Sequence, residues 1–389
     1  MKILMVLFGN IENDGRVLRS IDTLKNNFKI TNYSYCDDIK FKISKVKLIK
    51  RKSPKHKKNI FELILFTIQF FRICFKNKYD IIYLHDYFLT FPVKLISYFF
   101  SIKIIYDAHE LIISERSLRN NNFSDEFFSL NNFKNKKYKI NILDNFFYYL
   151  EKISIRKFNL IITANEERAI IMKKHYNLTK TPEIVRNIPK ISNKYNLYSR
   201  FLLEKKIEIL KNFKGLIFVY QGLISSKRDI EKIVIKLSEI ENSNILIIGD
   251  GNKNYIKYLK RLFNQKSLYN IHFLDKVDLK YLYSILKICD LGIISYSNIN
   301  LNNRYCAPNK LYEYAMFNLP MITTNQVLFK KTFKKYKIGI IYDKTKNIKE
   351  EVNALINTNL KDEFQKFNNL NSQSNESSKL FKALKKFNS

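Results

Sequence analysis

The sequence predicts an α/β protein made of two doubly wound halves, and three observations carry that prediction. Short apolar runs of strand length alternate with helix-period segments almost from end to end, as βαβ units require. The runs are near-continuously apolar, the pattern of parallel strands covered on both faces. The series breaks once, in residues 189–214, a Pro-started, Asn-, Tyr- and Lys-rich stretch with no strand pattern.

In the first half, strands are expected at Lys2–Phe8, Asp80–Leu84, Lys103–Tyr106, Leu160–Ala164 and Glu183–Asn187. Helices are expected near residues 15–27, 61–76, 89–100, 143–157 and 166–176, between or beside them. In the second half the strands are Gly215–Gln221, Asn244–Gly249, Asn270–Leu274, Leu291–Ser295, Pro320–Thr324 and Ile338–Tyr342, each followed by a helix. The expected domains are residues 1–195 and 196–360, with 361–389 as a helical tail packing back on the first domain. The chain has no repeat period of 20–50 residues, so the likeness of the halves is architectural.

Composition removes several classes. The chain has 389 residues, 46% of them hydrophobic and 27% charged, with only 8 Gly and 6 Pro, which excludes a disordered or collagenous protein. Cys36, Cys74, Cys289 and Cys306 lie far apart, without a C-x-x-C pair or a histidine at metal-ligand spacing, and read as reduced thiols of a cytosolic protein. MKILMVLFGN reads as a first strand and not as an export signal. The longest apolar stretches are broken by Glu62 and Arg72, and by Lys94 and Lys103, so no segment is long enough to span a bilayer.

The formal net charge is +34, spread over both halves: residues 1–200 carry 37 cations against 18 acids. Only 13 of the 69 cations are Arg, whereas bidentate phosphate and base recognition favour Arg, so a compositional bias toward Lys explains much of the excess. One local run stands out. Residues 40–58 hold ten cations and no acid, and the amphipathic Phe-rich segment Phe61–Phe75 follows at once, a pairing suited to an anionic membrane surface.

In open parallel sheets ligands bind beyond the carboxyl ends of strands, so the polar residues there are the candidates. Gly9-Asn10-Ile11-Glu12-Asn13-Asp14-Gly15-Arg16 follows the first strand; it is not G-x-G-x-x-G, but Gly15 and Arg16 open a helix whose amides can face an anion, or form an ordinary turn. His85, with Asp86, and His109, with Asp107 and Glu110, follow consecutive strands; each is either hydrogen-bonded structure or a functional imidazole held by its neighbouring carboxylate. A metal is not expected there.

In the second half Tyr220-Gln221-Gly222 leads into Lys227 and Arg228, two cations near a helix entrance that an anion would relieve. Gly249-Asp250-Gly251 repeats the theme more weakly. In Ala307-Pro308-Asn309-Lys310-Leu311-Tyr312-Glu313, the amides near Asn309 and Lys310 can cradle phosphate oxygens, while Glu313 can accept from a vicinal diol or simply complement the helix dipole.

These motifs, together with Asn13-Asp14-Gly15-Arg16-Val17-Leu18-Arg19 and Tyr79-Asp80-Ile81-Ile82-Tyr83-Leu84-His85-Asp86, stand in an order and spacing that resembles the GT-B glycosyltransferases, close to the retaining family 4 group, over nearly the whole chain. The resemblance implies two Rossmann-like domains facing across a cleft, the first holding an acceptor and the second a nucleotide-sugar donor. It implies that His109 and Glu313 are catalytic, with His109 beside the donor sugar and Glu313 on the ribose. Arg228, Lys227, Asn309 and Lys310 would hold the diphosphate, and Gly222, Gly249 and Gly251 would line the nucleoside and sugar. On the acceptor side stand Gly15, Arg16, His85 and Asp86. The sequence departs from the family pattern at Leu223, where a basic residue is usual, at Asp229, where glycine is frequent, and at Tyr305, where a Glu is often found.

The expected function is sugar transfer from a nucleotide sugar to a saccharide or lipid-linked saccharide, with retention, in surface polysaccharide biosynthesis. No cofactor or bound metal is expected, since the nucleotide sugar is a substrate and cations with helix amides would neutralise the leaving group. The expected location is cytoplasmic, with peripheral contact to an anionic membrane through residues 40–75. No nucleic-acid partner is expected. The alternatives are a nucleotide-sugar epimerase of the same fold and a non-catalytic basic protein binding membrane or nucleic acid.

Overall fold

The computed structural model describes residues 1–54, 60–113, 142–190, 196–298 and 300–386. The chain divides into two compact units, Met1–Asn187 with Gln373–Ser389, and Ile188–Ser372. The division falls after Asn187, where 195 was expected, and residues 191–195 lie outside the described set. In the second unit, Lys361–Leu370 packs on Asn309–Met316, whereas Gln373–Lys385 belongs to the first.

Unit 1 runs β1 (Lys2–Asn10), α1 (Gly15–Leu24), β2 (Lys29–Tyr35), β3 (Val46–Arg51), α2 (Ile60–Lys76), β4 (Ile81–His85), α3 (Thr90–Phe99), β5 (Lys103–Ala108), α4 (Ile142–Ser154), β6 (Leu160–Thr163), α5 (Glu166–Tyr176) and β7 (Glu183–Ile184). Its parallel sheet has the order β3-β2-β1-β4-β5-β6-β7. Unit 2 runs α6 (Arg200–Lys206), β8 (Leu216–Gln221), α7 (Glu231–Ser238), β9 (Ser243–Ile248), α8 (Lys253–Gln265), β10 (Ile271–Leu274), α9 (Leu279–Leu286), β11 (Leu291–Ile294), α10 (Leu301–Arg304), α11 (Asn309–Met316), β12 (Met321–Thr323), α12 (Val327–Lys335), β13 (Gly339–Ile341), α13 (Ile348–Asn357) and α14 (Lys361–Leu370). Its sheet has the order β10-β9-β8-β11-β12-β13. Helix α15 (Gln373–Lys385) then closes unit 1.

Both halves are therefore doubly wound, and in each the strand order reverses beside the first strand, between β1 and β4 and between β8 and β11. The carboxyl ends there are where a ligand fits. The parity of β1 divides its layers. Ile3, Met5 and Leu7 face Val17 and Ile21 of α1 and Leu380 and Leu384 of α15. Phe8 turns to the other face and meets Phe66 of α2 edge-on, 5.1 Å between ring centroids. Helix α3 packs against both α2 and α4 on that side.

Three strands depart from the sequence reading. β2 carries Asn32 and Ser34 in the buried pleat, where Ser34 Oγ donates to Asn32 Oδ1 at 2.6 Å, so its polar residues are satisfied and not solvated. β3 is an edge strand drawn from the basic run, and its lysines are the means by which an edge avoids further pairing. The expected strand Glu183–Asn187 shortens to Glu183–Ile184. No described helix is long and apolar enough to cross a membrane.

Candidate active site

In unit 2 the candidates gather at the carboxyl end of β8. Gln221, the last residue of that strand, donates from Nε2 to Glu313 Oε2 at 2.7 Å. Glu313 and Lys310 lie one turn apart on α11, whose N-cap, Pro308, contributes no side-chain cap. The Lys310 ammonium stands 4.5 Å from the centroid of the Tyr220 ring. Lys310 keeps some residue exposure, yet enclosure of its charged end lowers its pKa to about 7; the Arg228 charge adds to the effect and Glu313 opposes it. Two cations and a carboxylate thus share one small volume.

Gly222 makes that volume possible. Its φ is +117°, and a Cβ there would stand 2.7 Å from Lys310 Nζ. Gly249, at φ +149°, lets the β9 loop approach to where a Cβ would meet the Gly222 carbonyl at 2.0 Å. Gly251 packs similarly against the Ile224 carbonyl, with which it forms a parallel bridge. Gly249 and Gly251 thus let neighbouring loops pack closely beside Gly222 and Ile224.

Arg228 is expected at a helix entrance; the structure instead puts it in a turn ahead of α7, which begins at Glu231. The turn is held from β11 and α10. The Lys227 carbonyl accepts from Ser297 N at 3.2 Å, Ser297 Oγ at 2.8 Å and Asn303 Nδ2 at 3.0 Å. Ser295 Oγ donates to the Arg228 carbonyl at 2.6 Å. Asp229 adopts φ +50°, the left-handed region, which explains why glycine suits this position and why a short polar side chain can replace it. The Arg228 guanidinium lies over the Tyr296 ring, 4.0 Å from its centroid, while Lys227 is exposed. Ser295, Ser297 and Asn303 were not singled out from the sequence, although Ser295 directly follows β11.

Three buried polar atoms here have no partner among the described residues: Ser225 Oγ, Arg228 Nε and Asn309 Oδ1. Such atoms are costly unless something outside the chain satisfies them. Beside this cluster, Gly249 N donates to the Leu274 carbonyl at 3.0 Å, and from Leu274 begins a cavity of about 540 Å³ lined by Phe273, Val277, Tyr281 and Ile207 among others.

In unit 1 the hub is Asp107, at the end of β5. Arg16 grips it with Nη2 to Oδ1 at 2.7 Å and Nε to Oδ1 and Oδ2 at 2.9 and 3.0 Å, and Arg16 Nη1 reaches the Val185 carbonyl at 2.9 Å. Tyr83 OH donates to Asp107 Oδ2 at 3.4 Å. Burial works against both charges, yet their mutual attraction wins: Asp107 is held below the usual carboxylate range and Arg16 above its ordinary value. Arg16 is therefore turned inward, a correction to its expected place on the acceptor side; pairing a buried carboxylate outweighs exposure.

His85 Nδ1 and His109 Nε2 lie 3.2 Å apart. His85 is 1% exposed, and burial lowers its pKa to about 3, so it is a neutral imidazole. Its Nε2 is buried with no partner among the described residues. His109 lies half-open, with Nδ1 3.6 Å from Asp14 Oδ2, and its carbonyl accepts from Arg168 Nη1 at 2.7 Å. The carboxylates facing the histidines are thus Asp107 and Asp14. Asp86, expected in that role, accepts instead from the Tyr87 amide at 3.2 Å, and burial raises its pKa to about 6. Gly15 is the first residue of α1, whose amides at Arg16 and Val17 are already taken by Asp14 Oδ1. That end of α1 is capped and not an open anion seat.

His85, Asp107 and His109 offer ligand atoms within 4.8 Å of one another. The set fits a metal poorly, because Arg16 already occupies both Asp107 oxygens and a dication would have to displace a buried guanidinium.

Residues 204–377 match the family model of glycosyl transferases, group 1, which falls on unit 2. Unit 2 therefore carries a group 1 glycosyl transferase domain. The whole length of the chain superposes on solved structures of the GT-B fold at low identity. Sucrose-phosphate synthase from Thermosynechococcus elongatus is 13% identical with a TM-score of 0.73, covering 100% of this chain and 99% of that one. Anabaena Alr3699/HepE in complex with UDP-glucose is 14% identical with a TM-score of 0.66, covering 99% and 100%. WaaG, a glycosyltransferase involved in lipopolysaccharide biosynthesis, is 13% identical with a TM-score of 0.62, covering 98% and 94%. No curated protein sequence matches this glycosyltransferase. Its two units are Rossmann-like, as expected, and the enzyme class agrees with the sequence reading.

Proposed function

We propose that this glycosyltransferase takes a nucleotide-sugar donor on unit 2 and moves the sugar, with retention, to a saccharide or lipid-linked saccharide in surface polysaccharide biosynthesis. The observation that supports the donor seat is the convergence of Arg228, Lys310, Glu313 and three unsatisfied polar atoms at the end of β8. Cleaving the sugar–phosphate bond leaves negative charge on the nucleoside diphosphate and positive character on the sugar ring, so the task is electrostatic. Arg228 Nε and the Lys310 ammonium suit the diphosphate, Lys227 adds charge at the rim, and the α11 amides at Asn309 and Lys310 point along the dipole toward an anion. Glu313, steadied by Gln221, suits a ribose diol. These groups supply without a metal the charge that leaving-group departure needs. The neighbour Alr3699/HepE, solved with UDP and with UDP-glucose, lends support to such a donor.

On unit 1, His109 is the proposed catalytic imidazole, because it alone of the two histidines keeps surface open to a ligand. Arg16, Asp107 and His85 position it. The test is release of nucleoside diphosphate from a panel of UDP-, GDP-, ADP- and CMP-sugars with saccharide acceptors. Glu313→Gln and His109→Ala should each lose most turnover while remaining folded; wild-type turnover in Glu313→Gln removes the ribose assignment. Conversion of donor alone into its epimer would replace transfer by epimerisation.

A further inference from the structure

Unit 1 carries a feature that sugar transfer does not explain. Of the twenty large hydrophobic side chains exposed among the described residues, eleven lie on α2, α3 and α4. These helices are neighbours in the layer on the sheet face away from α1 and α15. On α2, Phe61, Ile64, Ile68 and Phe75 recur at helical spacing and are 43–62% exposed. The opposite stripe, Leu63, Phe66, Phe70 and Ile73, fills the core. Helix α3 adds Phe99, 69% exposed and 6.0 Å from the Phe75 ring, and α4 adds Phe146 and Tyr149, each 49% exposed. A contiguous apolar layer on the outside of a helical face is costly in water and marks a docking surface.

The charges around it choose the occupant. Arg72, Lys76 and Lys152 are exposed on the same helices. The acids described on α2 and α4 are neutralised or hidden: Glu62 pairs with Arg51 at 3.2 Å, and Glu151 is 1% exposed. A second copy of a chain with net charge +34 would be repelled, whereas an anionic surface is attracted. Aromatic and aliphatic side chains beside Lys and Arg match the interface of an anionic phospholipid bilayer, rings among the headgroups and cations at the phosphates.

We infer that the outer face of α2, α3 and α4 docks this enzyme on an anionic phospholipid bilayer. The docking face differs from the expected span of residues 40–75: β3 pairs into the sheet, residues 55–59 lie outside the described set, and α3 and α4 join α2. The inference stands apart from the donor reading, since binding is measured on the full chain without nucleotide sugar. The protein has no Trp, so Phe61→Trp and Phe99→Trp each provide a single probe, and Phe201→Trp in unit 2 provides an exposed control.

With vesicles of 30% phosphatidylglycerol in phosphatidylcholine, the first two probes should shift to the blue and be quenched by brominated acyl chains, and the control should do neither. Arg72→Gln/Lys76→Gln/Lys152→Gln should weaken the partition roughly a hundredfold at low salt, and pure phosphatidylcholine should bind weakly. The inference is overturned if Phe61→Trp and Phe99→Trp stay unshifted while the protein pellets with vesicles, or if no vesicle binding occurs. It is overturned equally if the same substitutions abolish self-association while vesicles are ignored, which would make this face a subunit contact.

Discussion

Asp107→Asn is the sharpest perturbation, because it keeps the shape of the side chain and deletes only its charge. Arg16, 8% exposed, would remain with a buried guanidinium facing an amide where three nitrogen–oxygen contacts of 2.7–3.0 Å now hold a carboxylate. At an effective dielectric near 20, unit charges about 4 Å apart attract by about 4 kcal/mol. Breaking one side of a buried pair costs about 3–5 kcal/mol, a large share of a domain's total stability. Native-state amide exchange, read by peptide mass, should therefore show protection of β1 and β5 falling about 10²–10⁴-fold, while β8 and β9 of unit 2 keep theirs. The sign with pH is also fixed. Asp107 is held below its ordinary value, so its stabilising share is present above the unfolded carboxylate's pKa and is lost as pH falls through the lower folded value. His85, lowered to about 3, adds an acid sensitivity that starts below the unfolded imidazole's 6.5. An Asp107→Asn protein with unchanged exchange in β5 would refute the account of the buried pair.

Removing Arg228 by Arg228→Ala should weaken an intact nucleotide sugar roughly 10- to 150-fold by calorimetry, the worth of one hydrogen bond to a charged group; an unchanged Kd would move the diphosphate elsewhere. Gly222→Ala places a methyl 2.7 Å from Lys310 Nζ at φ +117°, so both stability, by about 1–3 kcal/mol, and donor affinity should fall, and an affinity equal to wild type would count against Lys310 as a ligand. Because Lys310 titrates at about 7 in the free protein and an anion favours its charged form, donor affinity should decline up to about tenfold per pH unit above that point. The bound complex should take up a proton, visible as a buffer-dependent binding enthalpy, and Lys310→Met should flatten the profile.

The parallel strands were legible because burial on both faces writes an uninterrupted apolar run, as Ile3–Val6 and Ile245–Ile248 do. β2 was not, because Asn32 and Ser34 satisfy each other inside the pleat, a pairing that hydropathy counts as exposure. The positions of His85 at the end of its strand, of His109 and Arg228 just beyond theirs, and of Glu313 near the start of its helix were readable from the element order alone. What could not be read was direction. Arg16 and Asp107 are 91 residues apart, and only the β1–β4–β5 register brings them together. Asp14 and Asp107, rather than the adjacent Asp86, therefore became the partners of the histidines.

Helix α15 has a consequence for biogenesis. Glu376 accepts from the Arg186 amide at 2.7 Å, and Leu380 and Leu384 complete the hydrophobic layer over β1. The chain thus passes from unit 1 through unit 2 and returns with Gln373–Lys385 to seal unit 1. On the ribosome, unit 2 is synthesised in full before unit 1 possesses all of its own parts. Nascent unit 1 must wait with Ile3 and Met5 incompletely roofed, and a stop codon shortly before Gln373 would spare every residue of the donor cluster yet leave the amino-terminal unit unsealed.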